Sequence, residues 1–212
     1  MRFNTVVVGG LFAGLLAGAV PATAQIGVGP IGGVSSANFH GADKDVLGLD
    51  RGSRTGFLVG GMVDIPLGMV SIRPEVFYVQ KGVRFSDSSG EVGFNLDYIE
   101  IPVLLVVGIP AGGLKIEFFA GPQVAFRTKC DIIATPTGGS TVTVACDDPL
   151  LGGAEVESTD FGILVGAGVA VGGFMAQVAL DYGLTTLDAE TDPDDVKNQA
   201  IYALIGWMFR LN

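Results

Sequence analysis

Apolar residues alternate with other residues along much of the chain, and this period of two is typical of β-strands. In the segment 114–127 every even-numbered position is apolar, whereas the odd-numbered positions include Lys115, Glu117 and Arg127. Successive side chains of a strand point to opposite faces of its sheet. The segment is therefore predicted to be a strand with one apolar face and one face that carries charge.

The same alternation recurs in eight segments. The clearest are 70–81, 98–107, 114–127, 161–171 and 200–212, and the weaker ones are 26–38, 54–65 and 174–185. They are 10–14 residues long, which suits a tilted membrane strand of about 9–11 residues better than a soluble strand of about 5–6. We therefore expect an all-β fold, a closed antiparallel eight-stranded up-and-down transmembrane β-barrel with its apolar face toward lipid.

The connections between these segments alternate in length. Short ones are predicted near 66–68, 109–113 and 172–173, and long ones at 39–53, 83–93, 128–157 and 186–199. Outer-membrane barrels have short periplasmic turns and longer extracellular loops, so the long connections are expected outside the cell. Since proline cannot donate to a strand ladder, a bulge is expected near each of Pro74, Pro102 and Pro122.

Composition narrows the function classes. The chain has 212 residues with 33 Gly, 49% hydrophobic and 16% charged residues, one His and a net charge of −10. Such an acidic chain lacks the positive surface that nucleic-acid binding needs, and a single His excludes a multi-histidine metal site. No cofactor motif is found.

The N-terminus is predicted to be a cleavable signal peptide. Arg2 precedes a Gly-broken apolar run, and Ala22-Thr23-Ala24 forms a small-residue cleavage site. The expected division is a signal peptide at 1–24 and a barrel domain at 25–212, with an uncleaved anchor as the alternative. Export permits a disulfide between Cys130 and Cys146, and two free thiols are the other interpretation.

Three stretches together carry a family resemblance. They are IRPEVFYVQKGV (72–83), LDYIEIPVLLVVG (96–108) and FFAGPQVAF (118–126), and their order resembles the PorT-type outer-membrane β-barrel family, porin-like small barrels. The resemblance implies an eight-stranded barrel in the outer membrane of a Gram-negative bacterium, and it raises the possibility of a role in protein secretion. The residues after Phe209 depart from the terminal aromatic residue that such barrels usually carry.

Charged residues on the predicted inner face are the main candidate site. Two interpretations of these charges are open. They form either a polar path or binding cavity, or a plug of ion pairs that neutralise one another. A narrow interior favours the plug, because an unpaired buried charge is costly. The predicted network comprises Arg73, Glu75, Lys81, Glu100, Lys115, Glu117, Arg127 and Arg210.

Two weaker candidates lie near the loops. The acidic run Asp188, Glu190, Asp192 and Asp194 has calcium-ligating oxygens, but its sequence does not match an EF-hand, so a solvated loop without bound metal is expected. His40, with Ser35 and Ser36 nearby, could in principle serve a lipid-modifying hydrolase, although nothing in the sequence places these residues together. Aromatic girdles at the membrane surfaces are expected from Tyr78, Tyr98, Phe126, Tyr182, Trp207 and Phe209.

The sequence therefore predicts a non-enzymatic outer-membrane protein with a structural or interaction role. Its acidic loops would meet an extracellular or envelope partner, with 128–157 as the principal recognition surface and a secretion accessory role as a narrower version. Outer-membrane lipids are the expected partners of the folded protein, and the barrel assembly machinery is the expected partner during its biogenesis. A narrow channel for small solutes and a lipid-modifying enzyme are the alternatives.

Overall fold

The computed structural model of the chain describes residues 25–40, 50–146, 148, 158–185 and 197–211. Over these ranges the secondary structure consists of strands, and no helix is long and apolar enough to cross a membrane. The strands are β1 (Gly27–His40), β2 (Asp50–Leu67), β3 (Val70–Asp87), β4 (Gly90–Ala111), β5 (Leu114–Pro136), β6 (Val142–Ala145), β7 (Thr159–Val171), β8 (Phe174–Gly183), β9 (Lys197–Trp207) and β10 (Phe209–Arg210).

Eight of the strands form a ring. Neighbours pair antiparallel in the order β1, β2, β3, β4, β5, β7, β8 and β9, and β9 pairs back with β1 through contacts from Ile31–Gly206 to His40–Lys197. The expected antiparallel all-β architecture is therefore confirmed. The described residues contain ten strands rather than the expected eight, because β6 pairs beside β5 outside the ring and the two-residue β10 pairs with the start of β1.

The two faces of the ring differ as the alternation predicts. On β7 the outward Phe161, Ile163 and Val165 are exposed, whereas Leu164 between them is fully buried. Large apolar side chains are exposed on the outer face of every strand of the ring. The inner face encloses a lumen filled by side chains, and Tyr98, placed by sequence in an aromatic girdle, is buried there instead. The position of Tyr98 is therefore set by packing inside the lumen and not by contact with the membrane surface.

The short connections are tight turns. Gly112–Gly113 and Gly172–Gly173 both have positive φ angles, between 56° and 98°. Two consecutive positive φ angles characterise the type I′ turns that join strands closely, and glycine adopts them without a steric penalty. The end of the ring that carries these turns also holds the chain from Gly27 and the strand β10.

Two of the predicted long loops are extensions of the sheet. In the range 83–93, β3 and β4 pair as far as Asp87–Gly90, and in the range 128–157, β5 continues to Pro136 and pairs with β6. The apolar alternation fades there because neither face has to meet lipid or a packed lumen, while the backbone ladder continues. Residues 41–49 and 186–196, from the other two predicted loops, lie outside the described residues.

The bulges expected at the three prolines are absent. The strand register is unchanged on both sides of Pro74, Pro102 and Pro122, so the lost donor interrupts the ladder locally without inserting a residue. Register shifts occur instead between Ser53 and Leu58 of β2 and at Thr128 of β5.

Candidate functional site in the lumen

A first group of charged side chains lies in the lumen near the short turns, and we call it the lower cluster. Arg73 donates from Nε to Asp64 Oδ1 at 3.0 Å, and from its two terminal nitrogens to the two oxygens of Glu117 at 3.0 and 3.2 Å. Ser71 donates to Asp64 at 2.8 Å, and Lys115 Nζ lies 2.5 Å from Glu117 Oε1. The forked guanidinium thus joins β2, β3 and β5 through charge-assisted bonds.

A second group lies farther from the short turns, and we call it the upper cluster. Lys81 Nζ forms ion pairs with both Glu100 and Asp181, and Gln123 donates from Nε2 to Asp181 Oδ1. The Tyr202 hydroxyl lies 3.1 Å from Glu100 Oε2 and 3.0 Å from Asp181 Oδ2. One ammonium group therefore holds two carboxylates from opposite walls of the ring, on β4 and β8.

Aromatic and amide side chains complete the upper lumen. The Lys81 ammonium lies 5.5 Å from the centroid of the Tyr98 ring, within the range of cation–π attraction. Asn198 donates to Asp160 Oδ2 at 2.9 Å and lies 3.3 Å from the Tyr98 hydroxyl. These contacts tie β7 and β9 to the wall formed by β3 and β4.

The lumen opens at the end with the short turns. A cavity of about 240 Å³ lies there, with Arg73, Asp64 and Glu117 at its inner end and Lys115 and Arg210 among its lining residues. Arg210 is exposed at this mouth. The cavity is therefore a shallow vestibule that ends on the lower cluster.

The structure brings most of the sequence-predicted charge network together. Arg73, Glu75, Lys81, Glu100 and Glu117 are buried in the lumen. Lys115 and Arg127 are half-buried and Arg210 lies at the mouth, so these three are not part of the sealed interior.

Sequence reasoning missed the carboxylates that complete the two clusters. Asp64, Asp160 and Asp181 are buried in the lumen, as are Gln177 and Asn198. All of them belong to segments or loop boundaries where the apolar alternation is weak. In 174–185 the signal was present in the row Met175, Gln177, Ala179 and Asp181, which takes every second position.

A separate polar contact lies where β2 and β5 change register. Arg54 donates from Nη1 to the carbonyl oxygens of Lys81 and Leu96 and lies 3.3 Å from Asp97 Oδ1. Tyr78 donates to Asp97 Oδ2 at 2.7 Å, and the bulged Thr128 donates to the Asp97 carbonyl oxygen at 3.0 Å. The bulges thus position side chains that no local sequence pattern indicated.

The extension beyond these bulges carries the disulfide. Cys130 of β5 and Cys146, just after β6, form a disulfide with a Cα–Cα distance of 5.5 Å. Lys129 Nζ lies 2.6 Å from Asp131 Oδ2 on the same extension, and this hydrogen bond and charge raise the pKa of Lys129. We refer to residues 128–146 as the stapled hairpin.

The weaker candidates do not assemble into a site in the described residues. Ser35 is buried and donates to the Gln80 carbonyl oxygen at 2.6 Å, whereas Ser36 is exposed on the opposite face of β1. The side chain of His40 and the acidic run 188–194 lie outside the description. Within the described ranges no three His, Cys, Asp or Glu side chains are placed to hold a metal ion together.

The comparison with protein-family models agrees with this architecture. The family model described as "Outer membrane protein beta-barrel domain" matches residues 21–189. Solved structures that resemble the chain include Neisserial surface protein A, with 14% identity, a TM-score of 0.45 and coverage of 87% of this chain and 97% of that one.

Another is the N-terminal β-barrel domain of Pseudomonas aeruginosa OprF, with 14% identity, a TM-score of 0.39 and coverage of 88% and 99%. No curated protein matches the sequence. Since the family model covers well over half of the chain, this protein belongs to the outer membrane protein beta-barrel domain family.

Proposed function

We propose that this outer-membrane β-barrel protein acts through its extracellular surface, as a non-enzymatic structural or interaction protein, and does not conduct solutes. The observation that carries the proposal is the filled lumen. Between the lower and upper clusters the interior is occupied by buried apolar side chains, including Phe77, Leu104, Phe119 and Leu164. An eight-stranded ring is only wide enough for side chains to fill it, and here they do.

The distribution of charge supports a role for the outer surface. The four sequence ranges 39–53, 83–93, 128–157 and 186–199 contain 15 of the 22 acidic residues but only 5 of the 12 basic ones. The described parts of these ranges lie at the end of the ring opposite the short turns. A partner with a complementary basic surface is therefore favoured by electrostatic attraction.

The length of two strands supports the stapled hairpin as the contact surface. β4 has 22 residues and β5 has 23, about twice the 9–11 residues that a tilted crossing requires. About half of each strand therefore stands above the membrane. The Cys130–Cys146 disulfide fixes β6 against β5 there, which lowers the entropy that ordering this surface on binding would cost.

A role in assisting secretion is the narrower form of this proposal. It is supported by the ordered motifs at 72–83, 96–108 and 118–126 that resemble the PorT-type family. The test compares secreted proteins from strains with and without this chain. Loss of specific secreted proteins, with intact outer-membrane integrity, is the expected result, and an unchanged set of secreted proteins would leave only the broader interaction role.

Conductance in planar bilayers tests the filled lumen. The purified protein, folded as judged by heat-modifiable mobility on a detergent gel, is expected to give no unitary current steps. A general porin in the same bilayer serves as the positive control. Regular steps from the folded wild-type protein would contradict the proposal and favour a narrow channel.

Cross-linking on intact cells tests the interaction role. The wild-type protein is expected to capture one reproducible envelope or extracellular protein, and the double variant Cys130→Ser/Cys146→Ser is expected to lose most of that product while the ring stays folded. Arg210→Ala, at the opposite mouth, is the matched control and should retain the product. Equal capture by all three proteins would exclude the stapled hairpin as the contact surface.

A further inference from the structure

Glu75 differs from the other carboxylates of the lumen. Asp64, Glu100, Glu117 and Asp181 form ion pairs or hydrogen bonds with cationic side chains, and Asp160 accepts a hydrogen bond from Asn198. The side chain of Glu75 is 3% exposed, and neither of its two carboxylate oxygens has a hydrogen-bond partner among the described residues.

The surroundings of Glu75 do not supply the missing charge. The charged groups that act on it are Arg73 of its own strand, Asp64 of β2 and Glu117 of β5. The three donor nitrogens of Arg73 are already directed at Asp64 and Glu117. Met62, its cross-strand partner on β2, is apolar and buried.

Formal charges in this part of the lumen therefore do not balance. Arg73 and Lys115 carry two positive charges, whereas Asp64, Glu75 and Glu117 carry three negative ones if all are ionised. Arg210 also lines the vestibule, but it is exposed at the mouth, where water screens its charge. An isolated buried carboxylate is costly in a medium of low polarity, and the cost grows when its nearest neighbours are other carboxylates. The folded ring is more stable if one positive charge from solvent joins the lower cluster.

We propose that Glu75 is the binding site of one small monovalent cation, which neutralises the lower cluster. The proton and the alkali ion share this chemistry, and each would satisfy a carboxyl group that has no protein partner. A divalent ion fits less well, because the described residues contain no group of three ligands of the His, Cys, Asp or Glu type. The proposal does not depend on which partner the extracellular surface binds.

The vestibule brings solvent to the charged groups around Glu75. Asp64, Arg73 and Glu117 line its inner end, and the same three residues are the charged neighbours of Glu75. A cation that enters at the mouth therefore reaches the charged neighbours of Glu75. With one bound cation the lower half of the lumen is electrically neutral, whereas its ionised side chains alone carry a net negative charge.

The experiment compares the full-length mature protein, folded in detergent micelles, with Glu75→Gln. The amide has nearly the same shape as the carboxyl but needs no cation. Infrared spectroscopy at neutral pH reports a bound proton as the band of a neutral carboxyl group. Thermal unfolding in sodium chloride and in N-methylglucamine chloride, at equal ionic strength, reports a bound alkali ion as a higher midpoint in sodium.

One of the two signals is expected in the wild-type protein, and it should disappear in Glu75→Gln. Glu91→Gln is the matched control, since it removes the same charge from a half-exposed carboxylate on the extracellular side; it should keep the wild-type signal. If Glu75→Gln does not fold, Glu75→Asp, which retains a carboxyl group, replaces it and should keep the signal.

The assignment is overturned by either of two results. One is a wild-type protein with neither a neutral-carboxyl band nor a sodium-specific stabilisation, and this needs no variant. The other is a signal that persists unchanged in folded Glu75→Gln, which would place the cation elsewhere.

Discussion

Two lysine–carboxylate pairs in this protein differ mainly in their surroundings. Lys81 in the upper cluster has a side chain 1% exposed and pairs with Glu100 and Asp181, whereas Lys129 on the stapled hairpin is 58% exposed and pairs with Asp131. Water screens the outer pair, so it contributes little to stability. Lys81 and its two carboxylates have lost their hydration and are held by protein contacts instead. Removal of Lys81 therefore leaves buried negative charges without a compensating cation. Ion pairs of the same kind therefore stabilise the packing of the strands inside the lumen but contribute little to stability on the exposed hairpin.

The largest effect is expected from Lys81→Met. It leaves Glu100 and Asp181 buried without a cation, which typically costs about 3–5 kcal/mol. Urea unfolding in lipid vesicles, followed by the fluorescence of the single Trp207, should show a large loss of stability or a failure to fold. A wild-type midpoint would mean that water already reaches the upper cluster.

An intermediate effect is expected from Arg73→Lys. Lysine retains the charge but cannot bind Asp64 and both oxygens of Glu117 in the forked arrangement, and a hydrogen bond to a charged group contributes about 1.5–3 kcal/mol. The same unfolding measurement should show a loss in this range. A loss as large as that of Lys81→Met would indicate that geometry, rather than charge, dominates in the lumen.

A smaller effect is expected when the whole upper ion-pair group is removed. Replacing a complete buried ion pair by neutral groups is often close to neutral in stability. The triple variant Lys81→Met/Glu100→Gln/Asp181→Asn should therefore recover most of the stability lost in Lys81→Met alone. A triple variant no more stable than the single one would show that the hydrogen bonds of Tyr202 and Gln123 depend on the charges.

No measurable change is expected from Lys129→Ala. Its ammonium group is well exposed, so water screens the ion pair with Asp131 and gains access to that carboxylate when the lysine side chain is removed. The unfolding midpoint should match the wild type at low and at moderate salt concentrations. A clear destabilisation would show that the stapled hairpin is coupled to the ring more tightly than its exposure indicates.

The sequence was a good guide to the faces of the strands. Along 114–127 and 161–171 the side chains that alternate in the sequence alternate in exposure in the structure. The reason is that one face of every strand must remain apolar along its membrane crossing, which leaves a continuous local signal. The Cys130–Cys146 disulfide was likewise predicted, because only two cysteines are present.

The sequence was a poor guide to strand ends and to partners across the lumen. The sequence predicts loops at 83–93 and 128–157, although the strands pair as far as the turn between Asp87 and Gly90 in the first range and as far as Pro136 in the second. Asp181 was missed because its only local signature is its place in an alternating row, and its pairing with Lys81 joins residues 100 positions apart. No local pattern encodes such a contact.

The alternation of neighbouring residues is sufficient to give the strand class and the direction of each face, because both follow from local periodicity. Only the tertiary structure decided which carboxylates share Lys81 and Arg73, where the register shifts lie, and that Glu75 has no protein partner. Those features depend on the ring bringing distant strands face to face across a lumen from which water is largely excluded, where each buried charge must be compensated by whatever side chain the opposite wall provides.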